Sequence, residues 1–218
     1  MNNKLSLPYL ILIIAALLSA CRGPEEKANE NTALTNVVSL STVVNEKYGI
    51  NKKESVIIWQ GAKLFPPDAK HIGYVYISNG ALIIEKGKLA GGTFEIDMNT
   101  ITDKDHGSEN NLVRHLKDPD FFDVKKFPIA TFTITKVVSV NDENINVTGN
   151  LTIKGITRAI AFPAKIEVKD GVIYANGNVV IDRTQWDIRY GSGKLYYNLA
   201  DQTIADDIEF QMKIVAKK

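Results

Sequence analysis

The chain of 218 residues carries 26 basic and 25 acidic side chains, so it has the length to bury a core of its own and no charge excess to offer a nucleic acid. A single cysteine excludes an internal disulfide framework, and the three histidines, His71, His106 and His115, stand at no metal-ligand spacing.

The chain begins MNNKLSLPYLILIIAALLSAC, with one lysine, an apolar run from Tyr9 to Leu18, and small residues ending at Cys21. The run is too short and its flank wrong for a spanning helix, so residues 1–20 read as a signal peptide. Leu18, Ser19, Ala20 and Cys21 resemble a bacterial lipobox, which makes Cys21 the expected lipid-attachment site and the mature N-terminus. The expected location is therefore the bacterial cell envelope, anchored to a membrane through Cys21. Arg22 in place of Asp favours the outer membrane over the inner under enterobacterial-type sorting, and Glu25-Glu26 leaves surface display open beside the periplasm. Residues 21–44 are polar, then small and β-branched, with no sustained period. They read as a flexible tether, whose coil would reach on the order of 25–30 Å.

Residues 45–218 read as one all-β domain. From Ser55 onward the apolar pattern has period two. In TFEIDMNTI, Phe94, Ile96 and Met98 alternate with Glu95, Asp97 and Asn99, which gives a strand one apolar and one polar face. ATFTITKV repeats the pattern with Phe132 and Ile134, the segment 160–169 with Ile160, Phe162, Ala164, Ile166 and Val168, and the last segment with Ile208, Phe210, Met212 and Ile214. Turn signals at Asn79-Gly80, Glu85 to Lys88, Asn141-Asp142 and Asp170-Gly171 join the runs as hairpins. The count is about eight strands, enough to close a single antiparallel barrel whose interior is filled or holds one slender ligand.

One segment breaks the alternation. SENNLVRHLKD, residues 108–118, offers Ser108 as an N-cap and reads as a short helix ending before Pro119. With the loop DPDFFDVKKFP it would sit over one barrel mouth, where Phe121, Phe122 and Phe127 form either a plug or the gate of a tunnel. Further on, IDRTQWDIRYGSGK lacks the first glycine and the hydroxyl of a phosphate loop. It reads as a strand end at Val180-Ile181, a turn at Asp182-Arg183-Thr184, and Trp186 shutting one end. Asp182, Arg183, Asp187 and Arg189 then form a charge-paired corner, or Arg183 and Arg189 clamp the polar head of a ligand. Asp97, Asp103, Asp105, Asp182 and Asp187 are acids by composition, but no nucleophile stands with a base and no Gly-x-Ser-x-Gly elbow occurs, so no enzyme is expected.

The segments ESVIIWQGAK, GGTFEIDMNTITDKD, HLKDPDFFDVKKFPIATFTIT, VTGNLTIKGITRAIAFP and IDRTQWDIRYGSGK, in that order, resemble the YceI-like family of bacterial secreted proteins. The resemblance covers about Asn45 to Lys218 and implies a lipocalin-like barrel, an extended apolar ligand of polyisoprenoid type, an envelope location, and no cofactor beyond such a lipid. On that reading Phe94, Ile96, Met98, Leu116, Phe121, Phe122, Phe127, Phe132, Ile134, Phe162 and Trp186 line the ligand slot. Two functions stay open, a carrier of an isoprenoid or quinone-like lipid and a structural barrel with a filled core, and the oligomeric state is left undetermined.

Overall fold

The computed structural model describes residues 45–64, 70–199 and 202–218; Cys21 and the expected signal and tether lie outside these. Among the described residues the strands are β1 (Asn45–Ile50), β2 (Val56–Ala62), β3 (Lys70–Glu85), β4 (Lys88–Asp103), β5 (Ile129–Ser139), β6 (Asn144–Ile153), β7 (Ile156–Lys169), β8 (Val172–Asp182) and β9 (Asp207–Lys217), with one helix, α1 (Asn111–Lys117). All pairings between these strands are antiparallel. From β4 to β9 each strand pairs with the next, β9 pairs with β2, β2 with β3, and β3 with β4, which closes an eight-stranded barrel.

The ninth strand does not widen the ring. β1 pairs with the far half of β3, Asn45↔Glu85 to Gly49↔Ala81, and β2 with its near half, Ile57↔Val75 to Ala62↔Lys70. Both also pair with β9, so β1 and β2 occupy one interrupted place between β3 and β9. At the interruption the buried Ser55 hydroxyl donates to the Val215 carbonyl (3.2 Å) and accepts from the Val215 amide (3.0 Å), replacing a rung of the ladder.

Two local expectations are corrected. Asn79-Gly80 is not a hairpin turn: both residues lie inside β3, whose pairing with β4 shifts register between Ile77 and Asn79, so a β-bulge absorbs the turn-forming dipeptide. The N-cap of α1 is Asn110 rather than Ser108; its side-chain carbonyl accepts from the Val113 amide at 2.9 Å, and the bridge between Asp103 and Gly107 keeps Ser108 outside the helix. The helix ends at Asp118, before Pro119, and buries Val113 and Leu116 against the barrel.

The two ends of the barrel differ. Short turns at Lys86-Gly87, 140–143 and Asp170-Gly171 close one of them, with Lys86, Gly87, Asp170 and Gly171 in the left-handed region that such turns require. At the other lie the end of β2 at Ala62 and the start of β3 at Lys70, α1 with the 118–128 segment between β4 and β5, and a 3-10 turn (Arg183–Trp186) with the described residues 187–199 and 202–206 between β8 and β9. The long irregular connections are thus gathered at one mouth, the helix end.

Candidate functional site

Alternation in the strands turns one apolar face of each of β2 through β9 to the interior, while Val138, Val168 and Val180 stay exposed, and the inward side chains do not fill the space. A cavity with about 180 Å³ of water-accessible space lies at the helix end. One water needs roughly 10–15 Å³ on that measure, so the space exceeds ten waters. Trp59, Ile96, Met98, Ile153, Ile208 and Phe210 line its walls; Leu112, His115 and Leu116 of α1, with Phe121 and Phe122, form its roof. Lys63 and His71 stand at its rim. A second, deeper cavity of about 70 Å³ is lined by Ile77, Leu82, Phe94, Ile134, Val147 and Ile214 among others. Ile57, Ile96, Phe132, Phe162 and Met212 line both.

The surface of the larger cavity is apolar almost throughout. Two buried nitrogens without hydrogen-bond partners, Trp59 Nε1 and His115 Nε2, belong to its lining residues. The His115 ring is wedged edge-on against Phe121 (5.8 Å) and Tyr190 (4.4 Å), and Phe121 meets Phe122 edge-on at 5.3 Å. Deeper in, Phe94, Phe132 and Phe162 form a chain of ring contacts, 6.2 and 5.7 Å between successive centroids. Such a site has dispersion and apolar burial to offer a ligand and little else.

Of the residues expected to line a slot, Ile96, Met98, Leu116, Phe121, Phe122, Phe132 and Phe162 reach the larger cavity, and Phe94 and Ile134 the deeper one. Phe127 and Trp186 reach neither. The Phe127 ring covers Gly155 in the β6–β7 turn and lies under Lys126 Nζ at 5.1 Å. Trp186 is fully buried, but the 3-10 turn folds back on β6 and β7, so its Nε1 donates to the Leu151 carbonyl (3.1 Å) and Arg158 Nε donates to the Gln185 carbonyl (3.2 Å). Trp59, His115 and Ile153 also line the cavity and were not among the residues expected there; closure of the barrel, rather than spacing along one strand, makes them part of its wall and roof.

The charged corner is also rebuilt. Arg183 touches the cavity with no solvent-exposed surface, and its donors go to the protein: Nε to Ala205 O (3.0 Å), Nη1 to Ile188 O (2.7 Å), Nη2 to Ile204 O (3.3 Å), with Asp206 Oδ1 at 3.3 Å and the Phe121 ring at 5.5 Å. Burial pushes its pKa down, opposed by the charges of Asp206 and Asp182. Asp182 instead caps the 3-10 turn, accepting from the Thr184 amide (3.0 Å), and pairs with Lys194 at 2.8 Å. Arg189 pairs with Asp187 on the surface, 63% exposed, and reaches no cavity. Lys194 closes the stretch IDRTQWDIRYGSGK itself, whereas Asp206 comes from the segment returning to β9, beyond the reach of a local reading. A buried carboxylate, Asp103, sits near the rim, accepting from the amides of Asp105 (2.9 Å) and His106 (2.8 Å), with the His106 ring nitrogen at 2.9 Å and His71 Nδ1 at 3.8 Å. Among the described residues no three His, Cys, Asp or Glu side chains gather as metal ligands would.

The YceI-like domain model matches residues 48–216. A UPF0312 protein of Pseudomonas putida is 28% identical over 138 residues, 60% of this chain and 67% of that protein. Two solved structures share the architecture: BcnA of Burkholderia cenocepacia, with a TM-score of 0.63 at 20% identity over 77% of this chain and 99% of that one, and a polyisoprenoid binding domain from Saccharophagus degradans implicated in plant cell wall breakdown, with a TM-score of 0.57 at 12% identity over 78% and 97%. At these identities the structural likeness speaks for the fold.

Proposed function

The chain belongs to the YceI-like family, and on that premise we propose that it is a lipid-binding protein of the bacterial envelope, holding an extended apolar chain of polyisoprenoid or quinone-like type in its barrel. The observation that carries the reading is the apolar cavity beneath α1. Folded cores are close-packed, and an empty void of this size costs on the order of several kcal/mol, which a ligand filling it would offset. Each buried CH₂ contributes about 0.8 kcal/mol, so roughly fifteen carbons bind tightly even after ordering costs of several kcal/mol. The polyisoprenoid binding of one structural neighbour supports the choice of ligand class. The alternative of a barrel filled by its own side chains has no support in that cavity.

The donors of Arg183 are taken up by carbonyls and Asp206, so the interior offers a phosphate little. The hydrocarbon tail therefore lies inside and the polar end lies at the rim, near Lys63 and His71. A lipid on Cys21 completes the proposal by holding the barrel at a membrane. Organic extraction of the full-length protein purified from its native host, followed by mass spectrometry, should recover an isoprenoid lipid near one per chain. Recovery of none, with no displacement of an apolar dye by isoprenoid alcohols, would sink the reading. Cys21→Ala should move the protein from the membrane fraction to the soluble one; identical fractionation of the variant and the native chain disproves the anchor alone.

A further inference from the structure

We propose that Gly177 keeps the two cavities passable as one channel and thereby sets the length of lipid chain the barrel accepts, an inference that rests on the lipid-binding reading above. The five side chains that line both cavities are the partition between them. Along β9, Ile208 lines the first cavity, Met212 both, and Ile214 the second, a run of about 20 Å of strand at roughly 3.3 Å per residue. A chain that passes the partition is buried along that whole run. One that stops there fills the helix end only.

Gly177 stands beside the partition, paired with Met212 on β9 and with Ala164 on β7. Its position on β8 is inward, in step with the buried Ile173 and Ile181. A Cβ placed on it would lie 3.0 Å from Phe162 Cε2 and 3.2 Å from Met212 Cε. The edge of the Phe162 ring and the tip of Met212, two of the five side chains between the cavities, therefore lie back into the space that a side chain at 177 would take. Both contacts are side-chain ends, and methionine is unbranched and re-packs readily, so a larger residue at 177 moves them across the channel while the backbone stays in place.

The test uses full-length protein freed of lipid, an apolar fluorescent dye, and geraniol and geranylgeraniol as competitors that differ only in chain length. Native protein should bind geranylgeraniol at least about tenfold more tightly than geraniol, because the additional isoprene units are buried in the deeper cavity. Gly177→Val should reduce that ratio below about threefold with geraniol binding nearly unchanged, and Met212→Ala added to it should restore the ratio by returning the lost space. Gly177→Ala, which asks neighbours to give only a few tenths of an ångström, should show an intermediate ratio and carries the test if the valine variant does not fold. A native ratio near one, or a native-like ratio in the Gly177 variants, overturns the inference and leaves lipid binding standing. Failure of native protein to bind either alcohol overturns both.

Discussion

Arg183 and Arg189 are six positions apart and illustrate how burial decides what a charge is worth. Arg183 is enclosed, with three backbone carbonyls and the Asp206 carboxylate around its guanidinium. Arg183→Ala leaves those carbonyls unpaired and Asp206 with only Lys194 at 3.6 Å, so it should cost about 3–5 kcal/mol, read as a lower denaturation midpoint. Arg183→Lys should recover only part, since an ammonium cannot reproduce the planar fork. Arg189 pairs with Asp187 in water, and Arg189→Ala should change stability by less than about 1 kcal/mol. Equal effects of the two alanine variants would show that the returning segment 204–206 is not held by Arg183.

Among the elements, β6 shows how a strand makes room for a ring. Ile145, Val147, Gly149, Leu151 and Ile153 face inward along it, and at Gly149 the side chain is missing. The Phe132 ring lies in that gap: a Cβ on Gly149 would be 2.4 Å from its Cζ and 2.6 Å from the Thr133 carbonyl oxygen. Because one of these obstacles is backbone, Gly149→Ala cannot be relieved by a rotamer change and should destabilise the barrel by at least the roughly 1–3 kcal/mol typical of overpacking. Gly177→Ala, which meets only side-chain ends, should cost clearly less, and thermal melts of the two variants side by side would test the distinction. A Gly149→Ala protein as stable as the native one would mean that β5 and β6 can slide apart without cost.

For the molecule as a whole, polar ties gather at the helix end, among them those of the carboxylates Asp103 and Asp182. Burial raises the pKa of Asp103, but hydrogen bonds from the His106 ring and from the amides of His106 and Asp105 outweigh it and hold the group below the usual carboxylate range. Asp182 is the same case: burial raises it, and Lys194 and Thr184 bring it lower. Groups with depressed folded pKa values stabilise the fold above the unfolded value of about 3.9, and that contribution is lost as pH falls through the lowered folded values. Chemical denaturation midpoints should therefore be steady near neutrality and fall as the solution is acidified below about pH 4. Asp103→Asn and Asp182→Asn should each flatten the fall; unchanged slopes in both would assign acid sensitivity elsewhere.

The class of fold and the orientation of its faces were legible from alternation along the chain, because a strand's side chains alternate regardless of what the strand packs against. Phe94, Ile96 and Met98, or Ile208 to Ile214, could be assigned to an apolar face from spacing alone, and the break in alternation over 108–118 marked the helix, though not its N-cap. Local patterning also placed the turn at Asp182, whose side chain bonds a backbone amide two residues on. Closure and register decided the rest. They put Phe94 and Met98, two turns of one alternation, in different cavities, carried Trp186 and Phe127 away from both, and brought Asp206 to Arg183 across the chain. They also merged β1 and β2 into one place in the ring, so that nine strands enclose the lumen of eight. Whether that lumen is hollow depends on the difference between the volume the closed sheet encloses and the volume its inward side chains fill. Both terms change with which residues stand opposite one another, and only the folded chain fixes that pairing.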